Sequence, residues 1–334
     1  MNSIAGESSS SSSEPVRPFP SQFTSELPFD VEQSRVRNLV KSGKIIAAQR
    51  EFDILAWQAF IALNWPATGN GQPDTTKTPA DSTSPRVWSF WRPAGTIFLP
   101  NGDTPLPWKA PASLPSALPL FRAKAAWRQT STSADQNFQA FSGPLVDQNG
   151  KWVRYEVLVN REEFDYFVNN ALYSLDGQIA FSQREDSNEI HLPFNDSDQK
   201  QRGAIEIKLA WKELGPNDDH TRFYTTHRKV NVAEPYRAGQ TEPQTKEIEV
   251  GLVGMHIAMP TRSSPEWIWA TFEQIDNVRV NRDAKGKSAH PNFFSPTQPQ
   301  AVNVLPAKNA IIDPKTNQPV IVHDDTPAKP EPTT

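Results

Sequence analysis

The stretch VGLVGMHIAMPTRSSPEWIWATFEQIDN, residues 250–277, sets a histidine, two tryptophans and a carboxylate in two alternating runs joined by a turn. Successive side chains of a strand point to opposite faces. Val253, Met255, Ile257 and Met259 therefore share an apolar face, and His256 lies opposite them between Gly254 and Ala258. In the second run Trp267, Trp269, Thr271 and Glu273 share a face. An imidazole that titrates near neutrality, beside a carboxylate, is suited to acid–base chemistry. Flat aromatic rings beside carboxylates suit a sugar, and the small neighbours of His256 leave room for one.

Two further runs offer partners. In residues 152–160, WVRYEVLVN, Val153, Tyr155, Val157 and Val159 alternate with Arg154, Glu156, Leu158 and Asn160. In residues 203–211, GAIEIKLAW, the face of Ile205, Ile207, Leu209 and Trp211 is apolar, and Glu206 and Lys208 lie opposite. This gives Glu206, His256 and Glu273 as candidate catalytic acids and bases, with Arg154, Glu156, Lys208, Trp267 and Trp269 as candidate ligand contacts. Two readings compete. One is a polar cleft with an indole wall. The other is an antiparallel sheet with one solvated side, in which Arg154–Glu156 and Glu206–Lys208 are charge pairs worth a few tenths of a kcal/mol and His256 is a hydrogen-bonded core histidine.

Other chemistries find less footing. The chain has no cysteine, which removes thiolate catalysis, disulfides, iron–sulfur clusters and cysteine-ligated zinc. DDH at 218–220 and HDD at 323–325 lack metal-ligand spacing, and the separation of His220 from His227 signals nothing specific, so no metal site is expected. GxSxG does not occur. RDAKGKS ends like a phosphate loop, but Asn281 stands where its first glycine must be. With 34 Lys and Arg against 38 Asp and Glu, the charge of −4 offers no footprint for nucleic acid. No apolar run is long enough to span a bilayer.

The elements that must position these groups follow from periodicity. Phe52, Leu55, Ala56, Ala59, Phe60 and Leu63 recur at helical spacing and predict a buried helix over 45–64, stopped by Pro66. Residues 67–85 have loop composition and read as a mobile segment or a lid. RVWSFW and GTIFLP read as short strands. Residues 143–160 read as a hairpin turning at Asn149-Gly150, followed by a helix over REEFDYFVNNALYS that closes at Asp176-Gly177. TRFYTTHRKV adds another strand. Strands in runs with helices set apart predict a β-rich α+β fold: an antiparallel sheet or β-sandwich with two or more helices packed at one side. The predicted organisation is a disordered Ser/Pro-rich tether over 1–28, a single globular domain over 29–300 and an extended Pro-rich tail over 301–334.

WQAFIALNWP, PRVWSFW, GPLVDQNGKWVRYEVLVN, GAIEIKLAWKEL and VGLVGMHIAMPTRSSPEWIWATFEQIDN…FFSP follow one another as they do in a family of bacterial proteins. Over roughly residues 50–296 the chain resembles that family. Its members look exported, and some carry a cytochrome c family label. The resemblance implies a periplasmic or extracellular mature form; the N-terminus, without an apolar segment behind a basic one, does not read as a signal peptide and is equally that of a cytoplasmic protein. The resemblance implies no catalytic residues. The label would imply haem, but covalent attachment needs Cys-x-x-Cys-His, which leaves only non-covalent ligation by His256, and no cofactor is expected. The reading that follows is an exported soluble binding domain holding an extended polar ligand, a glycan, on an aromatic and charged sheet face. The alternatives are a hydrolase or lyase using Glu/His chemistry on a polysaccharide, and a structural or assembly protein.

Overall fold

The computed structural model describes residues 16–99, 101–108, 145, 147–149, 151, 153–184, 189–231, 245–277 and 291–293, with the strand backbones at 309–312 and 319–322. Its centre is β5 (Thr245–Pro260), a 16-residue strand. β3 (Glu206–Glu213) takes one edge of β5, and β4 (Thr225–Asn231) and β6 (Trp267–Glu273) share the other, β4 along Thr245–Gly251 and β6 along Gly254–Pro260. β2 (Arg154–Val159) pairs β3, and the two-residue β1 (Arg92–Pro93) pairs β2. Every pairing is antiparallel, in the order β1-β2-β3-β5-β4 with β6 beside β5. Between Ala210 and Trp211 the register slips, leaving Val253 as an extra residue in β5. A bulge bends its strand and increases twist. Here it falls where β5 exchanges β4 for β6, and the freed Val253 carbonyl accepts from Gln274 N (3.0 Å) and Asn277 Nδ2 (2.8 Å).

One face of this sheet is the main core. Leu158, Ile207, Leu209, Trp211, Met255, Ile257 and Met259 bury there with Leu55, Ala59 and Leu63 of α2 (Ile45–Leu63) and with Trp88 and Trp91. Each fully buried Leu or Ile contributes about 1.5–3 kcal/mol. α2 ends one residue before its predicted limit, and Asn64 Nδ2 donates back to Phe60 O (2.9 Å). α1 (Gln33–Lys41) packs Leu39 on Ala47 and Ala48 after a reversal at Gly43, whose φ of +71° favours glycine. No helix among the described residues is long and apolar enough to cross a membrane.

Several predicted elements differ. The helices do not gather at one side: α2 meets the face of Ile207, whereas Phe164 of α3 (Arg161–Asn169) packs on Val159 and Ile97, and Val159 points the other way from Leu158. RVWSFW is not a strand but a 3₁₀ turn over Val87–Phe90, tightened by Ser89 Oγ accepting from Arg86 N (3.2 Å). GTIFLP contributes a 3₁₀ turn at Ala94–Thr96. The helix after β2 stops at Asn169, Ala171 takes φ 55°, and α4 (Leu175–Ser182) starts anew under a Ser174 cap. Gly177 thus lies inside α4 rather than closing α3; a Cβ there would stand 1.9 Å from the Ala171 carbonyl oxygen, so glycine serves close approach and not a turn.

The expected 143–160 hairpin survives as a loop drawn together by Asp147, whose Oδ1 accepts from Asn149 N (2.9 Å) and Lys151 N (2.8 Å), while Val153 N reaches Leu145 O (2.9 Å). Gly150 lies outside the described residues. Within the expected tether, residues 16–28 are strapped to α2: Arg17 pairs with Glu51 (3.0 Å), Arg50 stacks on Phe19 (4.4 Å), and Gln58 Nε2 donates to Thr24 O (2.9 Å) and Glu26 O (2.6 Å). Residues 1–15 lie outside the described residues. In the expected extended tail, Asn309–Ile312 (β7) and Pro319–Val322 (β8) form an antiparallel ladder.

Candidate functional site

Register settles which predicted residues meet. On the face opposite the core, Val159, Glu206, Ala258 and Trp269 form one cross-strand row. The next row is Val157, Lys208, His256 and Thr271, and the third is Tyr155, Ala210, Gly254 and Glu273. Trp267 stands beyond, opposite Pro260. Six of the eight predicted residues therefore share one face: Glu206, Lys208, His256, Trp267, Trp269 and Glu273. Trp269 is 65% exposed, and its ring lies 6.1 Å from that of half-buried Trp267 at 45°. Between them, Ile268 turns back into the core, as does Phe272.

His256 is half-buried, and its Nδ1 lies 2.8 Å from Thr271 Oγ1. Partial burial, and then the Lys208 ammonium beside it, hold its pKa below the ordinary value against the weaker pull of Glu273. A neutral imidazole at pH 7 is thus favoured, rather than one charged by a carboxylate. Lys208 is itself pulled down by burial, with Glu206 opposing, and its Nζ lies 4.8 Å from the centre of the Tyr155 ring.

Arg154 and Glu156 do not join this group. Glu156 stands in a row with Leu209, Met255 and Phe272, on the core face. It is 2% exposed, accepts from Trp211 Nε1 (3.1 Å) and lies 3.7 Å from the Arg228 guanidinium. Arg154 pairs with Trp211 on the same side, where burial lowers its pKa and Glu213 opposes. Trp88, Trp211 and Tyr224 pack with ring centres 5.7–6.4 Å apart, and Arg86 and Arg228 lie over Tyr224 (5.0 Å) and Trp211 (5.2 Å). Glu156 is therefore a buried carboxyl group held by core partners. Alternation within one strand separates two faces, but only the pairing register says which face joins which.

The acid–base pair also changes. Glu206 and Glu273 are four residues apart along the strands and two strands apart, about 13 Å by about 10 Å. Paired glycosidase carboxyls stand about 5–10 Å apart, so these two do not form such a pair. The carboxyl that feels the charge of Glu206 is Glu163, which sequence reasoning passed over. Asn160 Oδ1 accepts from Glu163 N (3.1 Å), capping α3, and also from Ile205 N (3.1 Å), while its Nδ2 donates to Gly203 O (2.8 Å). That link sets the first turn of α3 beside the start of β3. Glu163 is 1% exposed, and its Oε2 has no partner among the described residues. Burial, and then the Glu206 charge, push its pKa up to about 8. Burial also raises Glu206, and Lys208 partly relieves it. The Asn160-x-x-Glu163 spacing before an apolar helix is a readable cap signal.

Among the described residues no group of three or more His, Asp or Glu is arranged to hold a metal ion. No protein-family model, no curated protein and no solved structure matches the chain. Any functional reading therefore rests on this geometry.

Proposed function

We propose that the chain is an exported binding protein that lays an extended polar ligand, a glycan, across the outer sheet face. The observation that carries this is Trp269, an indole left 65% exposed beside Trp267, on the face that also bears Glu206, Lys208, His256 and Glu273. A large aromatic side chain gains several kcal/mol from burial, and β6 buries its other face through Ile268 and Phe272. The indoles would stack on sugar rings. Lys208, His256 and the carboxylates would meet hydroxyls.

A second reading has one observation in its favour. Glu163 holds its proton near neutrality beside Glu206, which supplies a carboxylic acid and a carboxylate together, as hydrolysis of a glycosidic bond requires. Binding is the simpler reading, since Glu163 is only 1% exposed and so is closed to a polymer on the sheet face.

Plant, bacterial and fungal polysaccharides immobilised on an array test both. Retention of one class is expected, with at least a tenfold loss, about 1.4 kcal/mol, in Trp269→Ala. Silence across the array sinks the binding reading. Release of reducing ends from the retained polymer, abolished by Glu163→Gln, would move the chain to the hydrolases.

A further inference from the structure

A cleft of about 820 Å³ opens where the N-terminal strap at 25–29, the loop at 70–75, the turn at 87–91 and the first turn of α3 converge. Its size is that of a small-molecule site, commonly about 300–1,000 Å³. None of its lining residues belongs to the outer-face group.

Its walls are built. The 67–85 segment is a tied structure: Thr68 N and Oγ1 both donate to Gln72 O (2.7 and 2.9 Å), Asp74 N donates to Pro66 O (2.8 Å), and Trp65 Nε1 donates to Asp74 O (3.0 Å). Gly71, at φ +83°, lies so close to Phe90 that a Cβ would come within 2.8 Å of that side chain's Cβ and Cγ. Opposite, the Arg202 guanidinium donates to Leu27 O (2.9 Å), Pro28 O (2.6 Å) and Asn195 Oδ1 (2.9 Å), and lies 4.0 Å from the Phe29 ring centre. Preorganised walls spare a ligand the cost of ordering them.

The lining divides by chemistry. Phe90, Trp91 and Trp108 supply an apolar side, and Asn70, Gln72 and Glu162 supply hydrogen-bonding groups. Asn70 Oδ1 is engaged by Gln72 N (3.3 Å), but its Nδ2 and the Gln72 side-chain amide make no hydrogen bond among the described residues. The cations Arg161 and Arg202 are matched by the anions Glu26 and Glu162, so the cleft asks for no net charge. Paired amides and a carboxylate above an apolar wall fit a ring with hydroxyls on its edge and C–H groups on its face. We propose that this cleft binds a short, neutral saccharide, at a site separate from the outer sheet face and independent of whether that face binds anything.

Calorimetric titration of the full chain with cellotetraose, maltotetraose and chitotetraose decides it. One tetrasaccharide is expected to bind. The Asn70→Ala/Gln72→Ala variant should weaken Kd at least tenfold, and the Trp267→Ala/Trp269→Ala variant should leave it within twofold. Glu162→Gln, which keeps the shape of its side chain, should weaken binding at an unchanged melting temperature, and so separates loss of contact from loss of fold. Binding lost only in the tryptophan variant overturns the cleft and leaves the sheet face standing. Absence of heat with all three saccharides also overturns it.

Discussion

Glu163 is a carboxyl whose folded environment favours its proton. Burial is the larger cause and the Glu206 charge the smaller, and together they raise its pKa from 4.5 to about 8. Below pH 4.5 both the folded and unfolded chains hold the proton, and the group costs nothing. From about 4.5 to about 8 only the unfolded chain releases it, so stability falls as pH rises, by at most about 1.4 kcal/mol per unit. Above about 8 the loss is complete. Glu163→Gln should flatten this slope and leave the variant more stable than the parent at pH 9, read by urea denaturation across pH. An unchanged slope would refute the assignment. His256 belongs to the same scale. It should tolerate Gln at a cost of about 1 kcal/mol, because an amide still reaches Thr271, and under the proposed function glycan retention should fall while the melting temperature stays nearly constant.

At the level of elements, periodicity carries the regular helices and strands and little else. α2, β3, β5 and β6 stood out because their apolar residues repeat at the period of one element and end at Pro66 or at small and polar residues. RVWSFW failed because aromatic content suggests a strand, whereas a local cap from Ser89 to Arg86 made a 3₁₀ turn. Asp176-Gly177 misleads because a glycine pair of this kind suggests a bend, whereas Gly177 relieves a contact with Ala171. Six site residues fell together because parity within β3, β5 and β6 is local. Arg154 and Glu156 fell away because the register of β2 on β3 is a tertiary fact. Asn160 joins the two levels, capping α3 and bonding to Gly203 and Ile205 at the head of β3. Asn160→Ala should cost about 2–4 kcal/mol, the sum of a lost cap and buried groups left unpaired. A urea midpoint implying less than about 1 kcal/mol would show that α3 is held chiefly by Phe164 packing on Val159 and Ile97.

At the scale of the whole molecule, residues 16–28 lie against α2, although Ser- and Pro-rich composition predicts a segment that stands apart. Removing residues 1–28 takes Arg17 from Glu51, whose side chain is only 3% exposed, and leaves it Arg35 at 2.8 Å as its remaining ion-pair partner among the described residues. The same cut removes Leu27, which packs against the main core, and the Thr24 and Glu26 carbonyls held by Gln58. It also strips two of the three acceptors from the Arg202 guanidinium, whose pKa burial already lowers to about 10. A partly buried charged donor stripped of most of its acceptors costs about 1–3 kcal/mol, and a partly buried leucine adds about 1 kcal/mol. The truncated chain should therefore lose about 2–5 kcal/mol and melt at a lower temperature. Because Ser25–Phe29 also form a wall of the cleft, saccharide binding there should disappear at temperatures where the truncated chain is still folded. A tether would behave otherwise, since its removal would leave both the melting temperature and the binding untouched. Calorimetric melting and titration of this one truncation separate a strap that builds the molecule from a leader that merely precedes it.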